Sequence, residues 1–188
     1  MSNKSFSVVT SSKLQPFKKT IEVDSDKSIS IRSFLIGAIS HNISEIKNVL
    51  ESEDVFSAIK CLKQLGVIIK KIKPKNYLVY GKGLGSLYIK KKTILNCGNS
   101  GTLARLLIGI LSTTPGINVK ITGDKSLKKR NMSKLIDLMS QFGASFQKNK
   151  FYFPFSMTSS SIPLGITYNA GVSAQLKSAV ILAGLNSY

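Results

Sequence analysis

The sequence predicts an α/β (α+β) fold made of a repeated strand-helix-strand-helix-strand-strand unit, and three observations predict it. Short strand-like runs alternate with stretches whose apolar residues recur at helical spacing. Gln64-Leu65-Gly66-Val67 is answered by Gln141-Phe142-Gly143-Ala144, a helix end carried over from one copy to the next. Polar helix starts return about 72 to 75 residues apart. Two copies are complete and a third stops after its first helix, so the copies would sit about a pseudo-threefold axis left unfinished.

Taken in order, Phe6–Val9 reads as a strand followed by a polar link, and Ile21-Glu22-Val23 as a short strand. Asp24-Ser25-Asp26-Lys27-Ser28 is a turn with helix-capping residues, and the helix after it buries Ile31, Leu35 and Ala38–Ile39. Residues 43–49 read as a strand. Ser52-Glu53-Asp54 opens a second helix with first-turn acids, striped by Val55, Ile59 and Leu62 and stopped by Gly66. Strands at 67–70 and 77–80 follow. Gly81-Lys82-Gly83-Leu84-Gly85 lacks the final spacing of a dinucleotide fingerprint and reads as a loop before a strand-like run at 87–91.

After Ile94 the order of elements repeats. Gly98 and Gly101 bracket a turn in which Ser100 or Asn99 caps a helix from Thr102 to Ser112. That helix is apolar all round except at Arg105, which predicts burial with a partner for the guanidinium near the turn. Then come a strand at 118–122, a turn at 123–126, a helix with Leu135, Leu138–Met139 and Phe142 on one face, and strands at 144–147 and 151–155. The third copy offers a strand at 166–169, a turn at 170–173 and an apolar helix at 174–185.

Composition narrows the class. A hydrophobic content of 43% suffices for a packed core. No apolar run is long enough to cross a bilayer, and Met1–Ser5 lacks a signal-peptide segment, so a cytoplasmic chain is expected. Cys61, Cys97 and the single His41 give neither metal-ligand spacing nor a disulfide framework. A net charge of +18 suits nucleic acid, an anionic membrane or small anionic substrates. Only Arg32, Arg105 and Arg130 among the 27 basic residues are arginine. Lysine cannot reproduce the flat fork that grips carboxylate or phosphate, so these three are the informative subset.

The three helix starts are Lys27-Ser28 with Arg32, Asn99-Ser100-Gly101 with Arg105, and Ser173-Ala174-Gln175 with Lys177. Packed about the axis, they would converge with Arg130 on one cationic pocket supplied with helix N–H groups. Such a pocket fits a small phosphorylated or carboxylated molecule better than a duplex, which needs an extended basic face.

Together Asp26-Lys27-Ser28-Ile29-Ser30-Ile31-Arg32, Gly98-Asn99-Ser100-Gly101-Thr102 through Arg105, Thr122-Gly123-Asp124 through Lys129-Arg130, and Ser173-Ala174-Gln175-Leu176-Lys177-Ser178-Ala179 resemble the 5-enolpyruvylshikimate-3-phosphate synthase family. The resemblance implies an inside-out α/β barrel. It also implies transfer of an enolpyruvyl group from phosphoenolpyruvate to the 5-hydroxyl of shikimate 3-phosphate by addition and elimination, with no metal and no organic cofactor. By motif, shikimate 3-phosphate falls to Lys27, Ser28, Arg32, Ser173, Ala174 and Gln175. Phosphoenolpyruvate falls to Lys27, Gly101, Arg130 and Gln175. Lys27 is implied as the catalytic residue, and Asn99, Thr102 and Arg105 as support of the site. Ile31, Ser25 and Asn131 depart from the family pattern without removing a ligand-contacting group.

Family members are more than twice as long, so the chain is expected to be an N-terminal part, inactive alone and monomeric at full length. Residues 1–20 would belong to the other domain. Residues 21–188 would form an incomplete one, with repeats at about 21–85, 86–158 and 159–188. The nearest rival, a UDP-N-acetylglucosamine enolpyruvyl transferase, usually has Lys-Asn where Lys27-Ser28 stands and uses a mobile-loop cysteine, unlike Cys97. A basic RNA-binding module of related fold is the rival from another class. Aromatic residues are not interleaved with the lysines on any one run, which argues against it.

Overall fold

In the computed structural model the described residues are 18, 20, 21, 23–89, 93–147, 151–169 and 171–187. The elements run α1 (Lys27–Ile39), β1 (Ile43–Ile46), α2 (Glu53–Gln64), β2 (Ile68–Lys73), β3 (Asn76–Tyr80), β4 (Ile94–Asn96), α3 (Gly101–Ser112), β5 (Asn118–Thr122), a 3-10 turn at Leu127–Lys129, α4 (Ser133–Gln141), β6 (Ser145–Gln147), β7 (Phe155–Thr158) and α5 (Ala174–Asn186).

The duplication is visible in the sheets. The first sheet has the order β1-β3-β2, all antiparallel. The second has β5-β7-β6 in the same antiparallel arrangement, with β4 added parallel to β5. The two helix ends repeat as well. Gly66 and Gly143 both adopt positive φ (85° and 98°). The following amides of Val67 and Ala144 reach back to Leu62 O (3.0 Å) and Met139 O (3.2 Å). These are the long-range bonds of a Schellman ending, and glycine supplies the left-handed residue each one requires.

The core joins all five helices to the inner faces of both sheets. α3 lies at its centre, every residue buried except Arg105, as its composition predicts. It packs most extensively on α5. A Cβ at Gly109 would lie 2.5 Å from Ala179 O, so glycine lets the two backbones touch. The expected faces of α1, α2 and α4 are the buried ones.

Several expected strands differ. The run at 43–49 ends at Ile46, because Asn48 turns to φ 54° and Val49 bonds Lys75 O instead of continuing the ladder. Residues 87–89 form no strand, since Leu87 is buried and Tyr88 N bonds the end of α2 at Leu65 O; residues 90 and 91 lie outside the described residues. The run at 151–155 enters the sheet only at Phe155, after Pro154, which has no N–H to offer. Residues 166–169 form no strand: among the described residues no neighbouring strand pairs with them. Phe6–Val9 and Glu22 lie outside the described residues, and Ile21 and Val23 are exposed coil.

Candidate active site

The caps of α1, α3 and α5 recur at the expected interval and behave alike. Asp26, Ser100 and Ser173 each accept the backbone N–H three residues on, at Ile29, Leu103 and Leu176. Ser100 therefore corresponds to Asp26 and not to Ser28, which is the second residue of α1. Lys27, Gly101 and Ala174 are the first helical residues of the three copies.

Around α3 the local chemistry brings two guanidinium groups together. Gly98 takes φ 57°, its N–H bonds Asn96 Oδ1 (3.0 Å), and its carbonyl accepts Asp124 N (2.9 Å). Asp124 then caps the 3-10 turn through Leu127 N (2.7 Å), which delivers Arg130 to the start of α3. Arg130 Nη2 donates to Asn99 Oδ1 (2.9 Å), and Arg105 Nη1 donates to Gly101 O (3.2 Å). A Cβ at Gly101 would lie 2.5 Å from Arg130 Nη1 and 2.7 Å from Arg105 Nη1. The pKa of Arg105 is pushed down by burial and then by the like charge of Arg130. Two cations held this close at a helix N-terminus favour an anion between or beside them.

The third copy adjoins this corner. Gln175 Nε2 donates to Thr102 Oγ1 (3.1 Å). A cavity of about 370 Å³ opens between Arg105, Ser133, Lys134, Ser173 and Leu176. Gly101, Arg130, Arg105, Asn99, Thr102, Ser173 and Gln175 thus share one end of the fold, and Ala174 is exposed beside them.

The first copy is linked less directly. Lys27 Nζ pairs with Asp54 Oδ2 on α2 (2.8 Å), and Arg32 Nη1 donates to Ser28 O (3.2 Å). Among the described residues no hydrogen bond or ion pair joins Lys27, Ser28 or Arg32 to Gly101, Arg130 or Ser173. The connection runs through α1 packed on α2 and α3, and through Ser57 of α2, whose Oγ would lie 2.7 Å from a Cβ at Gly98. Sequence reading missed Asp54 and Ser57. Asp54 served there as a first-turn helix acid, an adequate local explanation that hid its distant partner.

Cys97 is buried beside Cys61. The bond its thiol donates to Cys61, which favours the protonated form, and then burial push Cys97 well above the ordinary range, the reverse of an activated nucleophile. Among the described residues no His, Cys, Asp or Glu cluster could hold a metal ion, and no helix is long and apolar enough to cross a membrane.

The family model of EPSP synthase (3-phosphoshikimate 1-carboxyvinyltransferase) matches residues 11–187. The 3-phosphoshikimate 1-carboxyvinyltransferase of Syntrophomonas wolfei is 40% identical over 94% of this chain and 41% of its own length. That of Paramagnetospirillum magneticum is 37% identical over 95% and 40%. The solved EPSP synthase of Acinetobacter baumannii superposes with a TM-score of 0.81 at 35% identity, over 89% of this chain and 38% of that one. The chain spans about two fifths of the length of the curated relatives it matches. Because the family match runs through every element from α1 to α5, and a solved member shares their arrangement, the chain belongs to the EPSP synthase family.

Proposed function

We propose that this chain supplies the N-terminal part of a 3-phosphoshikimate 1-carboxyvinyltransferase, which moves the enolpyruvyl group of phosphoenolpyruvate to the 5-hydroxyl of shikimate 3-phosphate and releases phosphate. The observation that carries the reading is the pair of guanidinium groups closing on the Cβ-free Gly101 at the head of α3. A triply charged phosphoenolpyruvate needs such a place: forked donors, helix N–H groups and no side chain in the way. In this reading Arg130 grips phosphoenolpyruvate with Gly101 as its floor, and Gln175 reaches both substrates. Ser28, Arg32, Ser173 and the backbone of Ala174 hold shikimate 3-phosphate. Lys27 contacts both substrates and moves the proton that addition and elimination require. Asn99, Thr102 and Arg105 keep the corner in shape.

The same reading assigns residues 1–20 to a second domain and the remainder to an incomplete one with repeats at about 21–85, 86–158 and 159–188. It makes the complete enzyme a cytoplasmic monomer. The test is phosphate release from phosphoenolpyruvate, dependent on shikimate 3-phosphate, by a chain extended to the relatives' length. Turnover is expected there, reduced in Arg130→Ala, and none from the 188-residue chain alone. Absence of turnover in the extended chain rejects the proposal.

A further inference from the structure

The first two turns of α2 carry side chains that the proposed roles leave unused. Asp54 Oδ2 lies 2.8 Å from Lys27 Nζ, with the carboxylate 16% exposed and the lysine side chain 49% exposed. One turn further along, Ser57 lies against Gly98. Gly98 O receives the amide of Asp124, which heads the turn ending at Arg130. The helix that carries both contacts is anchored in the core by Val55, Ala58 and Leu62, all fully buried. α2 therefore spans the gap between the lysine of the first copy and the glycine turn of the second.

From this geometry we propose that Asp54 is a positioning residue: it holds the Lys27 ammonium at the cleft and, through α2, in fixed relation to the Gly98–Gly101 turn. The inference rests on the catalytic role proposed above for Lys27. A half-exposed lysine on a flexible four-carbon stem samples many rotamers, and the substrates would have to organise it themselves without a fixed counter-charge. Asp54 does this in advance, and it is more buried than the lysine it orders. A helix acid acting only on the dipole would stabilise α2 whether or not Lys27 were present.

The test compares the extended, active chain with Asp54→Asn, Lys27→Met and the double variant, measuring kcat, KM for each substrate and melting temperature. Asp54→Asn is expected to lower kcat by roughly tenfold to a hundredfold, the scale of a misplaced catalytic group, with smaller changes in KM. Added to Lys27→Met it is expected to lower kcat no further, and Asp54→Glu should recover part of the loss. Should Asp54→Asn fail to fold, Asp54→Ser, a residue suited to helix starts, takes its place with the same expectations. An Asp54→Asn variant with the parent kcat overturns the inference, as does an equal loss on either background. A parent chain without turnover overturns the substrate reading itself, and this inference with it.

Discussion

Arg130 and Gly101 lie so close that a methyl group at position 101 would sit 2.5 Å from the nearer guanidinium nitrogen, Nη1. Two consequences separate cleanly. The atoms in the way are the ends of long side chains, which can withdraw, and alanine suits a helix better than glycine by less than about 1 kcal/mol at a first-turn position. Gly101→Ala is therefore expected to fold and melt at or slightly above the parent temperature. The displaced fork should meanwhile raise KM for phosphoenolpyruvate roughly tenfold, a loss of about 1.4 kcal/mol. Calorimetry and initial rates on the same sample check both halves, and an unchanged KM would mean the anion does not sit against this wall.

Replacing Arg130 distinguishes charge from shape. Its Nη2 bonds Asn99 Oδ1, and its charge lowers the pKa of the partly buried Arg105 beyond what burial does. Arg130→Ala relieves that repulsion, so stability should hold or rise slightly. Affinity for phosphoenolpyruvate should fall by roughly ten- to a hundredfold, the range of about 1.5–3 kcal/mol for a charge-assisted hydrogen bond. Arg130→Lys keeps the charge but loses the planar fork, and is expected to bind nearly as poorly as alanine. Full recovery by lysine in direct titration would reduce the contribution of Arg130 to a point charge.

Much of this geometry can be read from the residues in order, for physical reasons that differ by element. α3 announces itself because its apolar residues cover every face and only Arg105 interrupts them. The two Schellman endings are legible because the left-handed position demands glycine at Gly66 and Gly143. Strands were harder. Residues 166–169 have strand composition, yet a strand exists only beside a partner, and the partner is not encoded in those four residues. Within the site, the Gly101 turn and Arg130 are recognisable because close approach and forked recognition each require one residue type. Asp54 and Asn186 were invisible because each has a sufficient local role, as first-turn acid and as last helical residue, while its partners lie far along the chain.

Asn186 illustrates what such a distant partnership contributes. Its Nδ2 donates to Ile110 O (3.0 Å) and approaches Thr114 Oγ1 (3.0 Å) and Thr113 Oγ1 (3.3 Å). Its Oδ1 accepts the Gly85 amide (3.0 Å). One fully buried carboxamide thus ties the ends of α3 and α5 to the 81–85 loop. Asn186→Ala leaves the Gly85 N–H without its acceptor and opens a small void, and should cost about 2–4 kcal/mol. Asn186→Asp keeps the acceptor for Gly85 but turns a second oxygen on the Ile110 carbonyl, so it is expected to be no better than alanine. Urea midpoints measure both. A midpoint like the parent's in either variant would show the network to be dispensable.

The last expectation concerns pH and the edge of the first sheet. Glu51 Oε1 gathers Lys71 Nζ (2.8 Å), Tyr77 Oη (2.7 Å) and Lys75 N (3.1 Å). The hydrogen bond from Lys71, then those from Tyr77 and Lys75, hold the Glu51 carboxyl at about 2, below its ordinary 4.5. Tyr77 is shifted the other way, from 10.0 to about 12, first by burial and then by its bond to Glu51. A depressed carboxyl binds its proton less readily in the fold than in the unfolded chain. Its contribution is therefore present above pH 4.5 and lost as pH falls towards 2. A raised phenol contributes fully below pH 10 and loses that contribution as pH rises towards 12. Glu51→Gln removes the titrating carboxyl, so the stability gap between parent and variant should shrink on acidification through the first window. At the alkaline end the variant should decline over a narrower range, because burial of Tyr77 persists while the bond to a carboxylate does not. Urea midpoints of the two proteins across both windows give the measurement. A gap that stays constant from pH 4.5 down to 2 would show that Lys71, Tyr77 and Lys75 do not hold the Glu51 carboxylate in solution.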